Sequence, residues 1–391
     1  MNQDSSIRMI SSDRELEEVI NELRGERLYA IDTEFQGERS FFPKLAMIQI
    51  AWSNGLCLID PLEVDVHPLG EIIGGNATAV IHACSQDLPI LERACGARPR
   101  RLFDPQIAGA FLGYGRASLG TLLREQLGIE VEKGSQLADW MRRPLPAREL
   151  RYAASDVEYL LELSRALRRD LKEDGRLAWV EAECERELGR HRLRFQPERA
   201  WWRLKGKGKL RGKARGVAQA VCEWRERTAR QKDRVLKHVL SDMAVMGIAQ
   251  RPPTDSRQLR NIRGLAPNQL REDARDELLD AIADGLEMSP DELVLPPKRP
   301  GDGDAKAMMA LSMAWLAQIS SDEGVEQTLL GTRDDVVDLM NEVEGARLSE
   351  GWRFEVAGRS LRRIMTGECG LGCRPDGALM LWERPDSDPD A

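Results

Sequence analysis

Between Arg27 and Asp60 the chain holds three strand-length apolar runs, and the first of them carries two carboxylates inside it. The runs are Arg27 to Phe35, Leu45 to Trp52 and Leu56 to Asp60. Ser53-Asn54-Gly55 joins the last two as a tight hairpin, because Asn and Gly tolerate the positive φ that such turns require. A fourth strand, Ala79 to His82, leads into an apolar helix from about Asp87 to Ala94, and further helices are predicted over 104–112, 118–127 and 146–171. Hairpin-linked strands followed by alternating helix and strand predict a mixed sheet with helices packed on it. Beyond Glu173-Asp174-Gly175 the strand signals stop, and 176–290 read as helices.

At 391 residues the chain is too long for one ordinary core, and two or three domains are expected. Pro296 to Asp304, rich in Pro and Gly, predicts a linker before a last unit, helical at first with short strands near Ala378–Trp382. No basic segment followed by an apolar run opens the chain, so no signal peptide is expected. No run of ~18 apolar residues suggests a membrane span. The seven cysteines are odd in number and dispersed, which argues against a secreted disulfide framework and for a reducing cytoplasm.

A net charge of −8 hides an asymmetry. Fourteen Lys or Arg lie between Arg199 and Lys237 against three acids, Glu223, Glu226 and Asp233, a local excess of +11. Such a stretch marks an anionic partner better than net charge does.

Alternation along Tyr29-Ala30-Ile31-Asp32-Thr33-Glu34-Phe35 projects Asp32 and Glu34 from one face. Two adjacent carboxylates at the end of a buried strand repel and lose hydration, which a cation must offset. Hard divalent metals prefer such oxygen ligands; a strand end protruding into solvent is the bland alternative. Asp87 follows a strand and opens a helix, where a helix cap would be its ordinary role. In Leu150 to Leu161 the apolar positions 150, 153, 154, 157, 160 and 161 form one stripe. Tyr152 and Asp156, spaced i, i+4, stack on another face. Three other candidates carry no site. His82 lies on a core strand, Cys369-x₃-Cys373 lacks a second ligand pair, and Gly206-Lys207-Gly208-Lys209 lacks the phosphate-loop spacing.

Taken together, D-x-E on a strand, an Asp some fifty residues on and Y-x₃-D on a helix resemble the motifs of DEDD-superfamily 3′–5′ exonucleases. Ala46-Met47-Ile48-Gln49-Ile50-Ala51, Leu102 to Ala108 and Asp139-Trp140-Met141-Arg142-Arg143-Pro144-Leu145 bring the resemblance closer to ribonuclease D. The family's usual Asp-Thr is Asp-Pro at 104–105 here. With histidines only at 67, 82, 191 and 238, the histidine subtype has no match near Asp156, leaving the tyrosine subtype. The resemblance spans about 1–300 and implies a ribonuclease H-like α/β exonuclease domain. It implies that Asp32, Glu34, Asp87 and Asp156 hold two divalent ions, Mg²⁺ or Mn²⁺, and that Tyr152 orients the attacking water.

Trp201-Trp202-Arg203-Leu204-Lys205-Gly206-Lys207-Gly208-Lys209-Leu210-Arg211-Gly212-Lys213 mixes indoles with cations. The cations suit phosphates. The indoles either stack on unpaired bases or plug a domain interface. Val221 to Asp242, with Leu259 to Leu265, resembles the HRDC domain shared by RecQ-type helicases and ribonuclease D, without the family's usual Pro in 230–234. Gly351-Trp352-Arg353-Phe354 and Arg359 to Arg363 resemble a second, HRDC-like unit. The expected domains are therefore an exonuclease domain (1–185), a basic linker (186–212), an HRDC domain (213–292) and an all-α HRDC-like unit (305–391). The resemblance implies a monomeric exoribonuclease acting on RNA, with 3′-extended tRNA precursors the expected substrate. A DNA exonuclease and a catalytically silent RNA-binding protein are the alternatives, and the same four acids serve either sugar.

Overall fold

The structure, a computed structural model, describes residues 7–37, 40–131, 138–190, 195–266, 270–296 and 306–383. Its centre is a six-stranded sheet in the order β1-β4-β3-β2-β5-β6, made of Arg8–Ile10 (β1), Leu28–Gln36 (β2), Lys44–Trp52 (β3), Gly55–Ile59 (β4), Thr78–Val80 (β5) and Arg101–Phe103 (β6). The expected meander is present: β2, β3 and β4 pair antiparallel, with the turn at 53–54. β5 and β6 then add parallel to β2, and β1 adds parallel to the outer edge of β4. Neither β1 nor β6 was expected. Each has only three residues, too few for alternation to show.

Helices cover both faces. Asp13–Leu23 (α1), Gly70–Ile73 (α2), Asp87–Cys95 (α3), Pro105–Phe111 (α4) and Leu119–Leu127 (α5) are followed by Ala147–Glu158 (α6), Leu160–Glu173 (α7) and Leu177–Arg190 (α8). The single helix expected over 146–171 is two, because Tyr159 leaves the helical conformation at φ −108°, ψ 0°. On one face Ala46, Met47 and Leu58 pack against Ala153 and Ala154 of α6 and against Trp140. On the other, Ile31, Ile48, Ile50 and Ile59 join the larger core.

The following domain is helical, with Lys213–Gln231 (α9), Leu236–Val239 (α10), Asp242–Gln250 (α11), Ser256–Leu259 (α12) and Glu272–Glu287 (α13) around its own core. α9 and α13 close to backbone contact because Gly216 and Gly285 face each other; a Cβ on Gly285 would lie 2.5 Å from the Val217 Cα. This domain meets the first at Phe42. Its backbone N–H donates to the Asp233 carboxylate at 2.9 Å, and the Arg93 guanidinium lies 3.5 Å over its ring. Asp233 has φ 45°, a left-handed conformation uncommon outside glycine.

The last unit contains Lys306–Glu323 (α14), Gln327–Leu330 (α15), Arg333–Met340 (α16) and Gly351–Arg353 (α17). A wider-wound turn through Phe354–Gly358 then leads into Arg359–Met365 (α18), before a hairpin of Cys369–Cys373 (β7) and Leu379–Glu383 (β8). The hairpin is the strand signal expected near 378–382. Most of the linker expected at 296–304 lies outside the described residues. This unit is docked on the first domain. Trp352 stacks on Trp179 of α8 at 5.0 Å and meets Phe111 edge-on at 5.1 Å, while Arg353 pairs with Glu183 in a buried contact. The boundary expected at 185 thus falls inside α8, the helix against which the last unit packs. Trp352→Ala should cost about 3 kcal/mol, read as a lower thermal midpoint of the whole chain. An unchanged midpoint would show that this docking contributes nothing to stability.

Candidate active site

Asp32 and Glu34 project from β2 on the face toward α6, as alternation requires. α6 brings Asp156 to meet them, and carboxylate oxygens of Asp32, Glu34 and Asp156 all lie within 4.8 Å of one another. Asp87 borders this trio, 6% exposed in the first turn of α3. Its Oδ1 accepts a 2.5 Å hydrogen bond from the Thr33 hydroxyl, so the residue between the two strand acids orients the fourth. Sequence reasoning assigned Thr33 no role, since a hydroxyl at such a position gives no signal of a partner 54 residues away. Tyr152 lies against Asp156, and its ring is 6.2 Å from that of Trp140.

The electrostatics are one-sided. Burial pushes the Asp32 carboxyl well above the usual range, and Asp87, Asp156 and Glu34 push it further. Glu34 is raised to about 8 by burial and then by Asp156 and Asp87. Burial lifts Asp156 to about 7, against a hydrogen bond from Tyr152 that favours its charged form. Asp87 rises to about 6 through burial, with the Thr33 hydroxyl pulling the other way. Burial and the nearby acids also raise the Tyr152 phenol, which therefore stays protonated near neutral pH. Among the described residues no cation relieves Asp32, Glu34 or Asp156. An all-oxygen donor set with unrelieved repulsion fits a hard divalent cation.

The segment before α6 is held by one arginine. Arg143 donates to both Asp60 carboxylate oxygens (2.5 and 2.7 Å), to the Ala46 carbonyl (2.7 Å) and to the Trp140 carbonyl (2.8 Å). Ala46 lies where the β2–β3 register shifts after Glu34, so Arg143 ties that irregularity to the end of β4 and to the loop entering α6. The motif around Arg143 was visible in sequence, but its partner Asp60, 83 residues earlier, was not.

The basic segment departs from expectation. It is not a free linker: Pro197–Arg203 forms a short 3₁₀ turn, and Ala200, Trp201, Leu204 and Leu210 enter the core of the helical domain. Trp201 is 2% exposed, and its indole N–H donates to the Val294 carbonyl at 3.0 Å. A base cannot stack on it, which corrects that assignment. Trp202 donates to the same carbonyl at 2.9 Å, with Arg199 over its ring. Arg203 pairs with Glu226, Lys207 donates to the Trp202 carbonyl, and Arg211 donates to the Leu210 carbonyl at 2.8 Å. Lys205, Lys209 and Lys213 stay exposed.

Comparison with known proteins follows the same division. Residues 7–172 match the 3′–5′ exonuclease family model, and 214–293 match the HRDC domain. A ribonuclease D of Sphingobium indicum is 32% identical over 360 residues, covering 90% of this chain and 92% of that protein. The chain belongs to the ribonuclease D family. A ribonuclease D of Granulibacter bethesdensis is 31% identical over 371 residues, covering 93% of this chain and 94% of that one. The crystal structure of Escherichia coli RNase D, described as an exoribonuclease involved in structured RNA processing, superposes with a TM-score of 0.84 at 26% identity. It covers 93% of this chain and 99% of that one. As a member of the ribonuclease D family the chain is a 3′–5′ exoribonuclease, and its exonuclease domain is a mixed sheet followed by an HRDC helical domain. No helix among the described residues is long and apolar enough to cross a membrane.

The raised carboxyls give a test of the donor set. With Glu34 near 8 and Asp156 near 7, the metal-free protein holds protons at pH 7 that a cation must displace. Titration calorimetry with Mn²⁺ should therefore show proton release at pH 7, seen as heat that varies with the buffer's ionisation enthalpy. Affinity should rise from pH 6 to 8. A pH-independent affinity would contradict the raised carboxyls.

Proposed function

We propose that this exoribonuclease trims 3′ extensions from structured RNAs, tRNA precursors above all, by two-metal hydrolysis that releases nucleoside 5′-monophosphates. The observation that carries the reading is the convergence of Asp32, Glu34 and Asp156, with Asp87 at their border and Tyr152 against Asp156. Asp32, Glu34, Asp87 and Asp156 would hold two divalent cations, Mg²⁺ or Mn²⁺. When bound, the cations acidify a water and neutralise charge developing at the scissile phosphate. Tyr152 supplies a neutral hydroxyl beside Asp156, suited to orienting a water by hydrogen bonding rather than to taking its proton. The description of the E. coli relative supports structured RNA as the substrate class. Lys205, Lys209 and Lys213 are the cations of the basic segment best placed to meet phosphates. All seven cysteines are free and six are buried, which suits a reducing cytoplasm; we read the enzyme as a monomer there.

The decisive experiment incubates the protein with 3′-extended tRNA, single-stranded RNA and single-stranded DNA, in Mg²⁺, Mn²⁺ or EDTA. Stepwise shortening of the tRNA extension, silenced by EDTA, is expected; preference for DNA would overturn the substrate. Asp32→Asn and Asp156→Asn should abolish cleavage, whereas Tyr152→Phe should slow it roughly 10²-fold while leaving metal affinity intact. Undiminished cleavage by either aspartate variant would sink the mechanism.

Replacing Lys205, Lys209 and Lys213 together by Ala should weaken RNA binding and flatten its log–log salt slope by about 2. An unchanged slope would exclude these lysines from the RNA path.

A further inference from the structure

β3 is apolar and buried from Ala46 to Trp52 with one exception, Gln49, which is 0% exposed. Among the described residues neither its amide nitrogen nor its amide oxygen has a hydrogen-bond partner. An unpaired buried amide costs roughly 1–3 kcal/mol, so its presence here calls for an explanation.

The register shows what it faces. Gln49 pairs directly with Asp32 on one side and with Leu58 on the other, and cross-strand partners project from the same face. Opposed Cβ atoms in such pairs are about 5 Å apart, within reach of a glutamine amide. The helix over this face presents Ala153 and Ala154, which offer no side-chain partner. Along β2 the flanking positions on that face are Ala30 and Glu34, paired with Ala51 and Met47. The polar group directly opposite Gln49 is the Asp32 carboxylate.

We propose that Gln49 is a positioning residue for Asp32: unpaired in the metal-free protein, its Nε2–H donates to the Asp32 carboxylate when a cation is bound and fixes that side chain in its cation-holding orientation. The inference rests on the metal reading of the carboxylates given above. An ionised carboxylate has about four acceptor positions. A cation held jointly with Glu34 and Asp156 would use some of these, and the remainder would be open to a donor from β3. Partners of this kind, one bond removed from the ion, typically change affinity by 10–100-fold. Gln49 is thus a polar group that the fold tolerates at a cost in order to hold one ligand.

Gln49→Met keeps the side chain's length and removes its polarity. It should raise the Mn²⁺ dissociation constant about 10–100-fold by calorimetry and lower kcat, with KM for RNA unchanged. The thermal midpoint of the metal-free protein should stay the same or rise, because an unpaired amide has gone. Gln49→His, which keeps an N–H at similar reach, should recover part of the affinity. Mn²⁺ binding to Gln49→Met within twofold of the wild type would overturn the proposal. So would a metal-free midpoint that falls sharply or a variant that fails to fold, since either would make Gln49 an ordinary structural residue. Failure of the wild type itself to bind Mn²⁺ would instead refute the metal reading, which separates the two.

Discussion

Three carboxylates brought within 4.8 Å of one another in a half-buried site are the constraint on which the exonuclease domain depends. Left alone they repel, and burial adds to the cost, which is why each is driven toward its protonated form. The surrounding structure must hold these groups together against that repulsion. β2 does so for Asp32 and Glu34 through its pairing with β3 at both positions, with β5 anchoring its first residues, Leu28 to Ala30. Asp156 is brought in by α6, whose small Ala153 and Ala154 permit close approach to the sheet.

The approach of α6 is secured from the loop before it. Arg143 gathers Asp60, Ala46 and Trp140, so the end of β4, the irregularity of β3 and the entry to α6 form one unit. Breaking one partner of such a buried pair leaves the other charge uncompensated, at a cost of several kcal/mol. Trp140 in turn lies beside the ring of Tyr152. The tyrosine's hydroxyl bonds Asp156 while its ring lies beside the loop that enters α6.

Much of this was legible in the sequence because it follows from local periodicity. Alternation put Asp32 and Glu34 on one face, and helical spacing put Tyr152 beside Asp156. The meander followed from three runs and one Asn-Gly turn. Features set by contacts distant in sequence were not legible. Arg143 and Asp60 are 83 residues apart, and Thr33 and Asp87 are 54 apart. Trp201 among cations reads equally as a base-stacking or an interface-plugging indole, and the Val294 carbonyl that fixes its burial lies 93 residues later. The docking of Trp352 on Trp179 and Phe111 was hidden for the same reason.

The contact at Phe42 gives the β2–β3 hairpin two duties. β2 carries Asp32 and Glu34 along its paired length, and Phe42, just before β3, donates to Asp233 and lies beneath Arg93. The ribbon therefore bears the strand carboxylates and touches the helical domain at once. The two domains are joined by this contact as well as by the connecting chain, and Asp233 lies against the ribbon that bears the two strand acids.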